Sequence, residues 1–379
     1  ISVVLPRLRG VLGRVDDGQG AVHFTLDLRQ DAKLVAALDR ADAEALFVSG
    51  VLTPDHVIRT KNYPLLLDFA GLDSEEEIGA RISAAVAAYQ AQYIKYFADQ
   101  EAAKQDYKVR PDAMPRVILI RGLGLVGVGS SPKAAGIAAD IAEHTVLAKI
   151  QAAAIGCFRE LEEHYIFDME YWSLEQAKLG RGSSLPLQGR SALVTGGGGA
   201  IAMGIGRQLL KAGAVVYMSD ISEERLNQAC SKLAQQFGAR LVRTLVMDVT
   251  DGASVRAGLE VIVKESGGLD ILVTNAGVAH VARLEDLDDD KFEQVLAVNL
   301  KGVFQVIKGA VPIFRRQGMG GSVVINSSKI HINKYWPCSK SREPKRKHNN
   351  YFVIWNSSCV NYNICNTTPN SRRCCSKSS

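Results

Sequence analysis

One stretch decides the fold of this chain: residues 191–220, "SALVTGGGGAIAMGIGRQLLKAGAVVYMSD". A short apolar run comes first, four consecutive glycines follow, and apolar residues then recur at helical spacing. A second apolar run, "AVVYMSD", ends at Asp220. Strand, glycine loop, helix and strand in this order are typical of a turn that holds the pyrophosphate of a dinucleotide at a helix N-terminus.

The glycines and the acid have separate roles in this prediction. Gly196 to Gly199 let the backbone turn where a Cβ would clash. Gly204 is predicted to permit close approach of phosphate, and Gly206 to permit tight packing of helix on strand. Asp220 follows the glycines by about 20 residues, where a carboxylate accepts hydrogen bonds from both ribose hydroxyls and repels a 2′-phosphate. The predicted cofactor is therefore NAD rather than NADP.

The same rhythm of strand and helix continues to residue 328. It predicts an α/β fold with a doubly wound parallel sheet of the Rossmann type, whose ligand lies at the carboxyl ends of the strands. Polar or small residues end the third and fourth strands, in "VMDV" and "TNAG". The predicted cofactor-binding residues are Thr195, Gly196, Gly197, Gly198, Gly204, Ile205, Gly206, Asp220, Asp248, Val249, Asn275, Ala276 and Gly277.

Residues 1–180 are predicted to form a separate α/β unit. "PRVILIRG" has the composition of a strand, and Ser131 with Pro132 predicts the start of a long helix. "RGLGLVGVG" also matches G-x-G-x-x-G, but its second half alternates like a strand. A tight turn between two strands is the simpler interpretation.

Charge and cysteine are unevenly distributed. Nine Lys/Arg and one acid fall within residues 331–379, so the preceding residues are net acidic although the whole chain is +5. This excludes a basic nucleic-acid-binding surface over the folded part.

No apolar run reaches the roughly 18 residues that span a bilayer, so no membrane partner is predicted. Only Cys157 and Cys230 precede the last 42 residues, which favours a reducing cytoplasm.

Residues 331–379 differ from the rest in composition, since they contain no Gly, Ala, Leu or Asp. The segment is predicted to be an unfolded tail, and we interpret it as a shifted reading frame or a mis-joined exon. Because the first residues, "ISVVLPRLRG", lack Met, we expect the chain to begin inside a longer protein.

Residues 187–328 resemble the short-chain dehydrogenase/reductase family through "VTGGGG", "VTNAG", "VNLKG" and "INSSK". The resemblance implies that Asn299 holds a water in a proton relay and that Ser328, or alternatively Ser327, polarises a substrate oxygen. It also implies a general acid/base Tyr followed four residues later by Lys, but no tyrosine after Ser328 has Lys at that spacing. Seven residues separate Gly196 from Gly204, where most members have three, so a lengthened glycine loop is predicted.

The first half, through "GVLTPDHVIRTKNYPLLLD" and "MEYWSLEQAKL", is similar to bifunctional class II aldolase/short-chain dehydrogenases. That group includes rhamnulose-1-phosphate aldolases fused to lactaldehyde dehydrogenases. The implied domains are residues 1–180 (the C-terminal part of an aldolase-like α/β domain), 181–186 (linker), 187–330 (NAD-binding Rossmann domain, truncated) and 331–379 (tail). The seven histidines contain no H-x-H pair, so no metal site is predicted, and the metal-bearing part is expected upstream of Ile1.

Three functions follow as hypotheses. The first is an NAD-dependent oxidoreductase acting on an alcohol or aldehyde, with lactaldehyde as one candidate and a homo-oligomer built on the helix around Lys291–Gln317. The second is a nucleotide-binding fragment without turnover, because the Tyr/Lys pair is missing. The third is a sugar-phosphate aldolase, in which His56, Arg59 and Lys61 bind the sugar phosphate; a capped helix N-terminus with exposed basic residues is the alternative there.

Overall fold

A computed structural model describes residues 1–13, 15–16, 20–104, 112–174 and 185–327, together with the backbone of residues 352–354 and 358–364. The described helices are α1 (Val4–Leu12), α2 (Ala32–Leu38), α3 (Ala43–Phe47), α4 (Val57–Thr60), α5 (Glu75–Lys104), α6 (Pro132–Ile155), α7 (Glu163–Tyr171), α8 (Ala200–Lys211), α9 (Glu223–Phe237), α10 (Gly252–Ser266), α11 (Asp289–Leu296) and α12 (Val303–Gln317). The described strands are β1 (Val15–Asp16), β2 (Gly20–Ala21), β3 (Thr25–Arg29), β4 (Leu65–Leu67), β5 (Val117–Ile120), β6 (Gly124–Gly129), β7 (Ser191–Thr195), β8 (Val215–Asp220), β9 (Val242–Val246), β10 (Ile271–Thr274), β11 (His280–Ala282), β12 (Gly321–Ser327), β13 (Phe352–Ile354) and β14 (Ser358–Ile364).

The first α/β unit is built on a four-stranded sheet with the order β3-β6-β5-β4. β5 and β6 pair antiparallel across a short turn, so the early G-x-G-x-x-G match is a connection between strands, as predicted. The long helix α6 begins at Pro132, and the Ser131 hydroxyl accepts a hydrogen bond from the Ala134 amide at 3.2 Å. This cap is the one that the sequence predicts.

The second unit is a six-stranded sheet with the order β14-β12-β10-β7-β8-β9. β9, β8, β7, β10 and β12 are all parallel, which confirms the predicted doubly wound sheet. Strands β7 and β10 are buried along their whole length, because helices cover both faces of the sheet. The carboxyl ends of β7, β8, β10 and β12 therefore meet at one edge.

Two strands lie in the segment that the sequence predicts to be an unfolded tail. β14 pairs antiparallel with β12 over seven residues, and β13 pairs with β11. Without β14, the amide and carbonyl groups along the edge of β12 would be unpaired. Such an edge can pair with a segment of alternating residues, and "SCVNYNI" is one. The rest of residues 331–379 lies outside the described residues.

The helical stretch Asp289–Gln317, within the described residues, is long and apolar enough to cross a membrane by length and composition alone. In this fold it is the crossover between β10 and β12, and a π-helical segment, Ala297–Gly302, joins α11 to α12. Val306, Ala310 and Phe314 of α12 are buried in the core beneath the sheet. The opposite face of the stretch is exposed, at Leu300 and Phe304.

The two units share one hydrophobic core. Leu5 and Leu8 of α1 belong to the same buried cluster as Leu259 of α10 and Phe314 of α12. α1 approaches α12 so closely that a Cβ on Gly10 would lie 1.6 Å from the Gln317 carbonyl oxygen. The first unit is therefore packed against the second rather than tethered to it.

Candidate cofactor-binding site

A cleft of about 690 Å³ lies at the carboxyl edge of the parallel sheet. Its volume is that of a small-molecule site. The cleft brings together eight residues that the sequence predicts for the site: Gly196, Asp220, Asp248, Val249, Asn275, Ala276, Gly277 and Asn299. These residues come from loops that follow four different strands and from the π-helical segment, so only the folded sheet assembles them.

The glycine loop is held by the buried Thr195 side chain. The Thr195 hydroxyl oxygen accepts hydrogen bonds from the amides of Asn275 and Ala276, both at 2.9 Å. Gly196 has a φ of +69°, and a Cβ there would lie 2.9 Å from the Ala276 Cα. Only glycine fits this turn, because L-residues rarely adopt that φ and the neighbouring backbone occupies the space.

The glycine loop is shorter than the sequence predicts, whereas Gly204, Ile205 and Gly206 lie in the helix that the sequence places after it. Helix α8 begins at Ala200, directly after Gly199, so all three residues lie within the helix. Ala200 and Ala202 are strong helix formers, and they let the helix begin immediately after the glycines. None of the three lines the cleft.

Gly204 and Gly206 have different surroundings on α8. A Cβ on Gly204 would meet no atom within 4 Å, whereas one on Gly206 would lie 2.9 Å from the Met218 sulfur. The tight packing predicted for Gly206 against a strand is therefore present, because Met218 belongs to β8. The phosphate contact predicted for Gly204 has no support, since the amides at the start of the helix, not those inside it, are free to bind an anion.

Asp220 ends β8 with its carboxylate held in place by backbone amides. One oxygen accepts a hydrogen bond from Gly198 and the other from Ser222, each at 3.0 Å. The side chain is 9% exposed, and the Arg225 guanidinium lies 3.6 Å from one carboxylate oxygen. Gly198 thus orients the acid, and Gly197 packs against Met218 and Leu226 beneath the loop.

Asp248 and Val249 line the neighbouring part of the cleft. One Asp248 oxygen accepts hydrogen bonds from the Thr250 amide at 2.8 Å and the Thr250 hydroxyl at 2.7 Å. The Val249 carbonyl accepts a hydrogen bond from the Gln305 side chain at 3.1 Å. These contacts fix the loop after β9, in which Asp248 and Val249 are predicted to bind the cofactor.

Asn299 lies in the π-helical segment and faces the loop after β10. Its amide oxygen accepts a hydrogen bond from the Val278 amide and its nitrogen donates to the Val278 carbonyl, both at 2.9 Å. π-Helical turns inside α-helices are frequent at functional sites. The structure thus gives Asn299 a fixed orientation at the cleft, and its role in a proton relay stays a prediction.

Ser328 lies outside the described residues. Ser327, the alternative that the sequence offers, ends β12 and lines the cleft. Asn326 precedes it and donates a hydrogen bond to the Asn275 side-chain oxygen at 2.8 Å. Among the described residues, no tyrosine lines the cleft.

Sequence reasoning missed several cleft residues: Ala200, Ile201, Ile221, Arg225, Val278, Val298, Val303, Ile325 and Asn326. Most are apolar, and some had a signal in their position: Ile221 directly follows β8, and Ala200 and Ile201 begin α8. Arg225 gives no such signal, because it belongs to the first turn of α9 and reaches the cleft only after the fold forms.

The residues present fit an adenine dinucleotide. The turn at Gly196 leaves room beside the backbone, and α8 begins at Gly199 and Ala200 without a side-chain cap, so its first amides are available to a pyrophosphate. The Asp220 carboxylate faces the same cleft and can accept hydrogen bonds from ribose hydroxyls.

Among the residues that the structure describes, no group of three or more His, Cys, Asp or Glu side chains could hold a metal ion. His164 lies 3.3 Å from Glu162, and both side chains are substantially exposed. His56 ends a 3₁₀ turn, Pro54–His56, that begins after Thr53, and the Thr53 side chain makes no cap hydrogen bond.

Comparisons with known proteins divide the chain in the same way as the fold. Residues 1–179 match the model of the class II aldolase second domain, and residues 190–338 match that of the short chain dehydrogenases. The uncharacterized oxidoreductase YuxG of Bacillus subtilis (strain 168) is 28% identical over 334 residues, which are 88% of this chain and 47% of that protein.

A second relative, the uncharacterized oxidoreductase YxjF of the same strain, is 42% identical over 137 residues, 36% of this chain and 52% of its own. A solved short chain dehydrogenase from Mycobacterium smegmatis is 36% identical, with a TM-score of 0.37 over 39% of this chain and 61% of that one. The chain spans about half the length of the curated relatives that it matches.

The parallel sheet, the glycine turn and the polar strand ends define a Rossmann-type oxidoreductase fold. The chain belongs to the proteins that join the second domain of a class II aldolase to a domain of the short-chain dehydrogenase family.

Proposed function

We propose that this chain binds NAD or NADH as the cofactor-holding part of an oxidoreductase that moves a hydride between nicotinamide and an alcohol or aldehyde carbon. The observation that carries the proposal is the convergence of Gly196, Asp220 and Asn275 on one cleft. The bound cofactor would supply or accept the hydride. The substrate is a small molecule, for which lactaldehyde is one candidate from the family resemblance.

The chain's own residues would bind and orient the cofactor and the substrate. Asp220 would accept the ribose hydroxyls, and the amides at the start of α8 would bind the pyrophosphate. Thr195 and Asn326 fix Asn275, whose backbone would border the ribose that carries the nicotinamide. Asn299 would hold a water at the far end of the cleft, and Ser327 or Ser328 would donate a hydrogen bond to the substrate oxygen.

NAD is proposed over NADP because the 2′-phosphate of NADP would have to lie beside the Asp220 carboxylate. Its carboxylate accepts hydrogen bonds from two amides and lines the cleft, and each oxygen has a further lone pair with which to accept. A phosphate there would face this fixed negative charge at short range, which costs more than the nearby Arg225 returns from its exposed position.

A titration of the full chain with NADH, followed by nucleotide fluorescence, tests the proposal. We expect saturable enhancement, with weaker binding of NADPH. A flat titration, confirmed by the absence of heat in calorimetry, would overturn it.

A nucleotide-binding chain without turnover is the alternative, favoured by one observation. None of the eleven tyrosines in the sequence has Lys four residues later, so the acid/base pair expected of the family is missing. NADH binding without oxidation of lactaldehyde or simple alcohols is the expected result. Measurable oxidation by the purified chain would contradict the alternative.

A further inference from the structure

Arg9 of the first unit is buried at the amino edge of the parallel sheet, opposite the cofactor cleft. Its guanidinium makes two hydrogen bonds to the Asp270 carboxylate, at 2.6 and 3.0 Å. It also donates to the carbonyls of Gly189, at 2.9 Å, and Phe24, at 2.7 Å. Arg9 and Asp270 are 1% and 4% exposed, so water does not screen the pair.

Asp270 in turn fastens two neighbouring strands together. One carboxylate oxygen accepts a hydrogen bond from the Ser191 amide at 2.7 Å, at the start of β7. Asp270 itself immediately precedes β10, and its amide donates to the Ser191 carbonyl at 3.0 Å. The Ser191 hydroxyl donates to the Gly268 carbonyl at 2.7 Å. Arg9, through Gly189 and Asp270, thus holds the amino ends of both β7 and β10.

The carboxyl ends of the same two strands carry the cofactor loops. β7 ends at Thr195 and β10 ends at Thr274. The Thr195 hydroxyl oxygen accepts hydrogen bonds from the amides of Asn275 and Ala276. The two strands are in parallel register, Ala192 with Ile271 and Val194 with Val273. About four residues, or roughly 13 Å, separate the two pinned ends. Interiors transmit small displacements because they are close-packed.

We propose that Arg9 is a positioning residue for the cofactor cleft, acting from the aldolase-like unit by fixing the β7–β10 pair at its amino end. The inference rests on the proposed dinucleotide binding. It also gives the contact between the two units a purpose besides burying surface: the first unit helps to set the geometry in which the second binds its cofactor.

The charges around Asp270 explain why Arg9 matters. Burial alone would disfavour the charged carboxylate, but the adjacent Arg9 and then His23, 3.4 Å away, outweigh it and hold the pKa of Asp270 well below its usual range. Ser191 and Gln317 are the other polar side chains at the acid, with the Ser191 hydroxyl 3.3 Å and the Gln317 amide nitrogen 3.5 Å from a carboxylate oxygen. Without Arg9 the carboxylate would be a buried charge with too little compensation, and β10 would shift to relieve it.

Three full-length variants test the proposal. Arg9→Met removes the guanidinium and Arg9→Lys keeps a charge that cannot also reach both carbonyls. Glu75→Gln is the matched control, because Glu75 also links the two units, by a partly exposed ion pair to Arg316, and lies 3.5 Å from Arg7 of its own unit. NADH affinity is measured at a temperature where circular dichroism shows every variant to be folded.

We expect about ten-fold weaker NADH binding for Arg9→Met and less than about two-fold for Glu75→Gln. Arg9→Lys should lie between them. If Arg9→Met lowers the melting temperature while the folded chain keeps wild-type affinity, Arg9 is structural only and the proposal is overturned. If Arg9→Met does not fold, wild-type affinity in Arg9→Lys overturns it in the same way.

Amide exchange separates this inference from the proposed function. Residues 271–278 should exchange faster in Arg9→Met than in Glu75→Gln, whether or not nucleotide binds, because the loop after β10 loses its fixed support. A wild-type chain that fails to bind NADH would overturn the proposed function alone. Equal exchange in both variants would overturn the role of Arg9 alone.

Discussion

At the scale of single residues, the cofactor cleft depends on side chains that are oriented before any ligand arrives. Asp220 is held by two backbone amides, and Asn299 by the amide and the carbonyl of Val278. Such pre-organisation lowers the entropy lost on binding. Residue substitutions in the cleft should therefore change affinity more than stability.

Replacing Asp220 by Ala should reverse the preference between the two nicotinamide cofactors. A hydrogen bond to a charged group contributes about 1.5–3 kcal/mol, so NADH affinity should fall about ten-fold or more. NADPH should bind at least as well as in the wild type, because the repulsion is gone and Arg225 remains. Fluorescence titrations measure both. Glu224→Ala, an exposed acid on α9 outside the cleft, is the control and should change neither.

The two cysteines before the tail should differ in reactivity. Burial raises the pKa of the Cys230 thiol to about 11, whereas Cys157 is exposed. At pH 8, iodoacetamide should alkylate Cys157 within minutes and Cys230 only after unfolding, because the thiolate is the reactive form. Peptide mapping by mass spectrometry distinguishes the sites. Equal labelling of both in the folded chain would show that Cys230 is not packed as described.

At the scale of elements, α8 contains two glycines whose surroundings differ. The helix begins at Ala200 and carries two glycines in its interior, which weaken it by about 1 kcal/mol each relative to Ala. Only one of them is needed for packing. Gly206 faces β8, and Gly204 faces open space.

Gly204→Ala and Gly206→Ala form a matched pair on this helix. Gly204→Ala should raise the free energy of unfolding by about 0.5–1 kcal/mol and leave NADH affinity unchanged. Gly206→Ala should lower it by about 1–2 kcal/mol, because the new Cβ would press on Met218. Chemical denaturation measures both. A loss of NADH affinity confined to Gly204→Ala would instead place Gly204 at the phosphates, against the position of α8.

At the scale of the whole molecule, the two units are fastened at the amino edge of the sheet and bind at its carboxyl edge. Among the residues that the structure describes, none covers one face of the crossover helix. Leu300 and Phe304 are 67% and 61% exposed, and Phe292 of α11 is 38% exposed. An exposed apolar patch of this kind marks an interaction surface, and we propose that a second copy of the chain covers it.

Leu300→Glu and Phe304→Glu should each shift the chain from dimer to monomer. A carboxylate in an interface of two apolar helices would be desolvated without a partner. Light scattering after size exclusion measures the mass. Leu147→Glu on α6 introduces the same charge at another exposed apolar position and should leave the mass unchanged. A monomeric wild type at micromolar concentration would contradict the homo-oligomer.

The sequence by itself determined the parallel sheet, the turn at Gly196 and the acid that ends β8, because these depend on local periodicity and on the order of strand, loop and helix. It did not determine where α8 begins, since Ala200 and Gly204 are equally compatible with a loop until the helix packs on Met218. Nor could it pair Arg9 with Asp270, which lie 261 residues apart. Only the tertiary structure decided that contact, because a buried charge finds its partner through the packing of distant elements and not through its neighbours in the chain.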